Sequence, residues 1–192
     1  MKRADLEHLI RAAGAITCCR DIVVVGSQSI LGAFPEAPAP LTLSAEADLF
    51  PLDAHDAERM VDLIDGALGE LSIFHEQYQY YAQGVIRTTS VLPKGWAERL
   101  VVVENANTSG FRGLCLDPHD LVLAKYAASR EKDHQFNRAA IRHGLVRQEV
   151  LLARVIDMPL DLLRQAQITQ DIQRDFREAT GNLTDEGGRG PD

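Results

Sequence analysis

A β-branched run that stops abruptly at a glycine and a serine is the feature that most constrains the fold. Residues 21–25 read Asp-Ile-Val-Val-Val, and Gly26 and Ser27 follow at once. β-Branched side chains favour strands, and a short apolar run bounded by a turn is typical of a buried one. Ser27 is placed to begin a short helix through about Ala33. The pattern therefore predicts a buried strand, a tight turn and a short helix.

The next segment, Leu41–Phe50, alternates between apolar and polar side chains, which predicts a half-buried strand. It follows a proline-rich stretch, residues 34–40, which predicts a loop because proline cannot continue a helix or a central strand. The polar face of the predicted strand carries Glu46 and Asp48. Residues two apart on a strand point the same way, so we expect both carboxylates to project from one face.

The rest of the chain predicts an α+β (mixed α/β) fold. Asp117 and Pro118 form a strong helix start, with an N-cap residue followed by proline in the first turn. We expect an α/β head over residues 1–117, a helical C-terminal subdomain over 118–180 packed on it, and a disordered polar tail over 181–192. Further helices are predicted at about Asp5–Ala15, His55–Leu68, Gln148–Val155 and Leu160–Ala179, with a restart near Glu131 and a stop at His143-Gly144; further strands are predicted at Tyr78–Ile86, Leu100–Glu104 and Arg112–Leu116.

Composition and charge narrow the class of protein. The 192 residues include three cysteines, which form no disulfide framework, and no apolar run approaches the ~20 residues that span a bilayer. The charged N-terminus lacks the apolar centre of a signal peptide, so we expect a cytoplasmic protein without a membrane partner. The formal net charge is −8, yet residues 125–147 hold six Lys or Arg against two acids, a local excess of +4. That segment is either an anion-facing surface or a solvated helix face.

The turn at Gly26 and Ser27 can bind an anion. Glycine permits close backbone approach, and the start of a helix offers unpaired N–H groups to a phosphate. Two common phosphate motifs do not fit the segment. Gln28 stands where a dinucleotide fingerprint needs its second glycine, and Leu31-Gly32-Ala33 lacks the lysine of a P-loop. A turn used only for packing is the alternative interpretation.

The paired acids Glu46 and Asp48 can bind a metal. Neighbouring like charges repel unless water or a cation screens them. Hard oxygen ligands at this spacing suit Mg²⁺, which takes one or two carboxylates and completes its shell with water and substrate phosphate. A solvent-facing strand edge is the alternative. An anion-binding turn close to a paired-acid strand is, however, the combination that phosphoryl transfer requires.

The pattern Gly26-Ser27, then about twenty residues later Ser44-x-Glu46-x-Asp48-Leu49, resembles the signature of DNA polymerase beta-like nucleotidyltransferases. The closer resemblance is to bacterial AbiEii-type nucleotidyltransferase-like toxins. In that group a later helix carries a lysine, then an arginine and a basic-Asp pair. Lys125, Arg130 and Lys132-Asp133 resemble that arrangement.

The resemblance implies a nucleotidyltransferase-like head with a small twisted mixed sheet flanked by helices. It also implies a Mg²⁺-dependent transfer of a nucleoside monophosphate from a nucleoside triphosphate to a tRNA or protein hydroxyl, by a toxin that has an antitoxin partner. The implied catalytic residues are Glu46, Asp48, Lys125 and Asp133; Glu46 and Asp48 would hold the metal, and Gly26, Ser27, Ser44, Lys125 and Arg130 would bind the nucleotide.

Two departures from the family pattern leave alternatives open. Glu46 stands where the family usually has Asp, and a third strand carboxylate is not evident, with Glu104 the one strand candidate. On a continuous helix, Lys125 and Asp133 would lie about 80° apart, sharing a broad face without stacking. The alternatives are a catalytically degenerate nucleotide-binding or partner-binding protein of the same fold, and an interaction domain in which Glu46 and Asp48 are simply solvated.

Overall fold

The computed structural model describes residues 1–185. Five strands form one mixed sheet of order β3-β2-β1-β5-β4. The central strand, β1, runs antiparallel to β2 and parallel to β5, whereas β2 pairs in parallel with β3, and β4 antiparallel with β5. The strands are β1 (Asp21–Val25), β2 (Glu46–Pro51), β3 (Tyr81–Gly84), β4 (Val101–Val103) and β5 (Arg112–Cys115).

Helices flank this sheet and make up the second half of the described chain. The mixed α/β fold predicted from the sequence is confirmed. No helix within residues 1–185 combines the length and the apolar character that crossing a bilayer requires. The helices are α1 (Arg3–Thr17), α2 (Ile30–Ala33), α3 (Ala57–Leu68), α4 (Ile73–Tyr78), α5 (Pro118–Ala128), α6 (Glu131–Arg142), α7 (Gln148–Val155) and α8 (Leu162–Asp185).

Strand β1 lies where its sequence predicts, at the centre of the sheet. Ile22, Val23 and Val24 have no exposed surface, as expected for a strand paired on both sides and covered on both faces. The predicted apolar stripe of α1 is also fully buried, at Leu6, Leu9, Ile10 and Ala13. These two elements form the core of the α/β head and hold the turn at Gly26 in a rigid frame.

Strand β2 begins five residues later than its alternating pattern predicts, so the assignment of residues 41–45 to a strand is wrong. Residues 39–41 form a 3-10 turn, and the side chain of Leu43 is 82% exposed. The N-terminal amine of Met1 donates hydrogen bonds to the carbonyls of Thr42 (2.6 Å) and Ser44 (3.2 Å). These carbonyls therefore have a partner outside the sheet, and of the apolar side chains in residues 41–45 Leu41 is buried whereas Leu43 stays in solvent.

The strand predicted over Tyr78–Ile86 is likewise shorter. Tyr78, the first residue of the predicted strand, is the last residue of α4. Gln79 takes a left-handed conformation (φ 63°) that separates this helix from β3. Tyr78 and Tyr80 pack with His8 and Phe74 in an aromatic cluster on α1 and α4. The β-propensity of the tyrosines is overridden here by this tertiary packing.

The helical half follows its predicted boundaries closely. The side chain of Asp117 caps α5 by accepting the His119 N–H (3.0 Å), and Ser129, with φ 56°, separates α5 from α6. Helix α8 extends to Asp185, five residues into the segment predicted to be disordered, and residues 186–192 of that predicted tail lie outside the described residues. The division into a head and a helical subdomain stays a prediction.

Candidate active site

A cleft of about 1040 Å³ lies between the β1–β2 end of the sheet and helices α5 and α6. One wall carries the turn after β1 and the polar face of β2, and the opposite wall carries the facing sides of the two helices. Among its lining residues are Gly26, Ser27, Ser44, Glu46, Asp48, Lys125 and Arg130, which are all of the site residues predicted from the sequence except Asp133.

Residue 26 must be glycine because its backbone lies very close to the carboxylate of Asp48. Its φ is +66°, and a Cβ atom at this position would lie 1.8 Å from Oδ2 of Asp48. The strand register explains the contact, since Val25 pairs with Asp48 across the antiparallel β1–β2 ladder. A side chain at residue 26 is therefore excluded twice, by the backbone conformation and by the carboxylate. The turn predicted to bind an anion and the acidic strand therefore touch each other.

Ser27 does not cap the following helical turn through its side chain, contrary to the sequence-based expectation. Its hydroxyl instead accepts a hydrogen bond from Nζ of Lys125 (2.9 Å). The Ser29 hydroxyl donates to the Gly26 carbonyl (3.0 Å) and closes the turn. The serine hydroxyls thus fix the turn and link it to α5.

The acid pair lies on one face of β2, as the alternating pattern predicts. The hydroxyl of Tyr81 donates to Oε2 of Glu46 (2.9 Å), which fixes that carboxylate. Burial, and after it the neighbouring negative charge of Glu46, raise the pKa of Asp48 to about 6. Burial, followed by the hydrogen bond to Glu46, raises the pKa of Tyr81 to about 12. Asp48 is thus a half-buried carboxylate beside a like charge, an arrangement that a bound cation would stabilise.

Lys125 connects the turn to α6. Besides its contact with Ser27, its Nζ donates to Oδ1 of Asp133 (3.0 Å) and lies 4.4 Å from the centre of the Phe136 ring. Burial lowers the pKa of Lys125, and the negative charge of Asp133 partly offsets that effect. The ammonium group is therefore held at the edge of the anion-binding turn by partners on both walls.

Asp133 holds two cations. Arg130 donates to its Oδ2 from Nε (2.6 Å) and to Oδ1 from a terminal nitrogen (3.3 Å), while Lys125 occupies the remaining side. Burial alone would raise the pKa of Asp133, but the hydrogen bonds from Arg130 and Lys125 lower it. The 80° separation expected on a continuous helix does not apply, because the helix ends at the left-handed residue Ser129 and a new helix, α6, follows. This change of direction brings Asp133 to Lys125.

Ser44 and Glu104 have different surroundings. The Ser44 hydroxyl accepts the Glu46 N–H (3.0 Å) in a local turn that starts β2, and the residue lines the cleft. Glu104 follows β4, at the opposite edge of the sheet from β3, and pairs with Arg20 (3.2 Å) in an exposed position. The suggestion that Glu104 supplies a third carboxylate is wrong.

Sequence reasoning missed several residues of the cleft. Gln83 on β3 lines the cleft beside Asp48, and Tyr81, which lies next to the cleft, pairs with Glu46 in the same parallel register. Their period-two spacing was a usable signal, but it was assigned to a longer strand with no function. Helix α6 adds a row of cleft residues at helical spacing: Lys132, Gln135, Phe136, Ala139 and Arg142.

The donor set at this cleft fits Mg²⁺. Two carboxylates on one strand face are hard oxygen ligands, and magnesium commonly uses one or two of them together with water and substrate phosphate. In the described part of the chain, His, Cys, Asp and Glu side chains form no group of three or more that could hold a metal. Glu46 and Asp48 are thus the residues that would hold the ion.

Comparison with known proteins assigns the family. No curated protein and no solved structure matched the chain. The model of a family described as "Nucleotidyltransferase of unknown function (DUF6036)" matches residues 4–178, which include every site residue above. The closer resemblance to AbiEii-type toxins stays a prediction. On this match, and with an anion-binding turn touching an acid pair in the cleft, the chain belongs to the DUF6036 family of nucleotidyltransferases.

Proposed function

We propose that this protein is a Mg²⁺-dependent enzyme that transfers a nucleoside monophosphate from a nucleoside triphosphate to a hydroxyl group of RNA or protein. The observation that carries the proposal is the contact between the turn at Gly26 and the carboxylate of Asp48. A triphosphate on the turn would lie against the acids that hold its metal. Magnesium bound there would neutralise phosphate charge, which is its usual contribution to phosphoryl transfer.

The chain's own residues would position the phosphates. Backbone N–H groups after Gly26 would donate to a phosphate, and the Lys125 ammonium group lies at the Ser27 hydroxyl. Tyr81 keeps Glu46 oriented, while Asp133 and Phe136 keep Lys125 on the cleft wall. Most of the catalytic effect in this chemistry comes from such fixed charges and donors.

The reaction is balanced without a further reagent. The acceptor oxygen forms a bond to the α-phosphorus, and the bond from that phosphorus to the bridging oxygen of the β-phosphate breaks. Pyrophosphate leaves with the bridging electron pair, and the hydroxyl proton passes to water in the open cleft. Asp133 does not take this proton, since it has no exposed surface and already accepts from Arg130 and Lys125.

An RNA acceptor is supported by part of the basic segment. Lys125 and Arg130 are paired with Asp133, and Arg147 lies 3.5 Å from Glu149, so these three side chains are not counted as contacts for an RNA backbone. Lys132 and Arg142, however, are exposed and line the cleft on one side of α6. Phosphate contacts are largely made by Lys and Arg. A toxin role with an antitoxin partner rests on the resemblance to AbiEii-type toxins and is part of the proposal.

Calorimetric titration tests the proposal. Each of the four nucleoside triphosphates is titrated, with and without Mg²⁺, into the wild type and the Glu46→Ala/Asp48→Ala variant. We expect Mg²⁺-dependent binding of at least one nucleotide that the variant loses. Transfer of label from the α-³²P-labelled nucleotide to tRNA or protein then identifies the acceptor. Absence of binding to the wild type would contradict the proposal.

A second function has two observations in its favour. The side chain beside Asp48 on β3 is Gln83, a neutral amide, and Glu46 replaces the usual Asp. Both departures suit a protein that binds the nucleotide and acts through a partner without turnover. Tight Mg²⁺-dependent binding with no labelled product on any acceptor would favour this function.

The RNA acceptor has a test of its own. Lys132→Ala/Arg142→Ala should weaken RNA binding and lower its salt dependence if RNA is the acceptor.

A further inference from the structure

Gln83 occupies the position on the cleft wall where a further metal ligand would reach the acid pair. Residue 83 pairs with Asp48 in the parallel β2–β3 ladder, and paired residues on neighbouring strands lie about 5 Å apart. Glu46 and Tyr81 form the pair two residues earlier in the same register, and the Tyr81 hydroxyl donates a hydrogen bond to Glu46. The side chains of these alternate residues on β2 and β3 therefore lie on the same face of the sheet. The Gln83 side chain is exposed and lines the cleft.

A two-ion centre demands more negative charge than this face carries. Two divalent ions in nucleotide-transferring enzymes lie about 3.5–4 Å apart and share ligands between them. Here the cleft presents the carboxylates of Glu46 and Asp48, whereas the third position on the same face carries an uncharged amide. Carboxylates are the ligands that offset the charge of such ions, and an amide leaves that charge uncompensated.

Positive side chains add to this restriction. Lys125 and Lys132 both line the cleft that Glu46 and Asp48 line. Lys125 is itself held in place by Ser27 and Asp133, so it cannot withdraw without breaking two hydrogen bonds. A cation beyond the first would therefore meet the fixed ammonium group of Lys125 and the positive side chain of Lys132, and it would find no further carboxylate among the described residues that line the cleft.

We infer that the cleft holds a single divalent cation with its nucleotide, and that Gln83 is the residue that limits the site to one. This inference rests on the proposed function, since the ion enters together with nucleotide phosphates. One ion held by Glu46 and Asp48 satisfies the acid pair. The Gln83 amide then remains a neutral hydrogen-bond donor, able to contact a phosphate oxygen or a water molecule on the ion.

The test counts metal ions for each bound nucleotide. The full chain is equilibrated with Mn²⁺ and α,β-methylene ATP, or the matching analogue of the nucleotide that binds in the titration above. Ultrafiltration separates free from retained ligand, and the ratio of retained Mn²⁺ to retained nucleotide is measured by atomic absorption and absorbance. We expect a ratio of one for the wild type and one for Gln83→Asn. Gln83→Glu, which replaces an amide nitrogen by oxygen, should double the ratio to two.

The outcomes separate this inference from the function it rests on. A wild-type ratio of two would overturn the inference while supporting the function. A folded Gln83→Glu variant whose ratio stays at one would overturn the role of Gln83. If Gln83→Glu does not fold, as judged by circular dichroism, the wild-type ratio alone decides between one ion and two. No retention of nucleotide by the wild type would overturn both proposals, and Glu46→Ala/Asp48→Ala provides the background for non-specific retention.

Discussion

Two groups of buried or half-buried acids in this protein differ in whether the fold supplies them with a cation. At the start of α5, Asp120 has no exposed surface and accepts hydrogen bonds from Arg99 (2.8 Å) and Arg154 (2.9 Å). Its neighbour Asp117 accepts from Arg154 (2.6 Å) and caps the helix. Burial alone would raise the pKa of Asp117, but the hydrogen bonds from His119 and Arg154 lower it. In this cluster each acid has its cation within the fold.

Within residues 1–185, the acid pair on β2 has no comparable cationic partner. Glu46 accepts a hydrogen bond from the neutral hydroxyl of Tyr81, and the pKa of Asp48 is raised to about 6 by burial and by Glu46. The cluster on α5 stabilises the fold, whereas the pair on β2 costs folding free energy until a ligand supplies positive charge. An acid that the fold leaves uncompensated at a cleft is therefore the better guide to function.

The largest expected effect is at the compensated cluster. Asp120→Ala leaves the guanidinium groups of Arg99 and Arg154 without one of their acids, and removing one member of a buried pair costs about 3–5 kcal/mol. Urea unfolding monitored by circular dichroism measures this loss. Glu149→Ala, which breaks the exposed Arg147 pair, is the control and should change stability by less than about 1 kcal/mol. Equal losses in the two variants would contradict the comparison.

Substitution at Gly26 measures how closely the turn and the acid pair approach. Gly26→Ala should cost about 1–3 kcal/mol for a backbone conformation (φ +66°, ψ −170°) that is almost restricted to glycine, and a further ~1 kcal/mol for the contact with Asp48. Gly144→Ala controls for the positive φ, since Gly144 has the same φ of +66° and nothing within 4 Å of the added Cβ. Thermal unfolding of both variants measures the two losses of stability. Because the added Cβ meets Oδ2 of Asp48, Asp48→Ala should restore part of the stability lost in Gly26→Ala.

Asp48→Asn should stabilise the protein, in contrast to Asp120→Ala. Because the folded-state pKa of Asp48 is about 6 against an ordinary value of 3.8, the folded state binds more protons between these values, and stability falls as pH rises from about 4 to 6. At pH 7 without divalent metal, the variant should gain up to roughly 3 kcal/mol. The gain should vanish below pH 4, where the carboxyl is protonated in both states. A loss of stability at pH 7 would show that Asp48 is compensated after all.

The smallest effect is expected at Tyr81. Tyr81→Phe removes the hydrogen bond to Glu46 and should cost about 0.5–1.5 kcal/mol in chemical unfolding. The same change should weaken Mg²⁺-dependent nucleotide binding, because Glu46 is then free to rotate. With the Tyr81 pKa near 12, the wild-type hydroxyl remains a donor from pH 6 to 9, so the difference between the two proteins should not vary over that range. A pH-dependent difference would indicate another partner for Glu46.

Local patterns predicted the elements that depend on local physics. The β-branched run of β1, the apolar stripe of α1 and the cap at Asp117 each rest on neighbouring residues, and all three lie as expected. The alternation over residues 41–45 failed because backbone carbonyls there bond to the N-terminal amine of Met1, far away in sequence. The tyrosine-rich stretch failed for the same kind of reason, since Tyr80 packs against His8.

The sequence by itself determined the chemistry of the site: a glycine–serine turn after a buried strand, two carboxylates on one strand face, and a lysine followed by an arginine and an aspartate. Only the tertiary structure decided which of these groups meet. The break at Ser129 brings Asp133 to Lys125, and strand pairing brings Gln83 and Tyr81 beside the acids while leaving Glu104 at the far edge. The physical reason is that side-chain type is a local property, whereas register, strand order and helix breaks depend on contacts between residues distant in sequence.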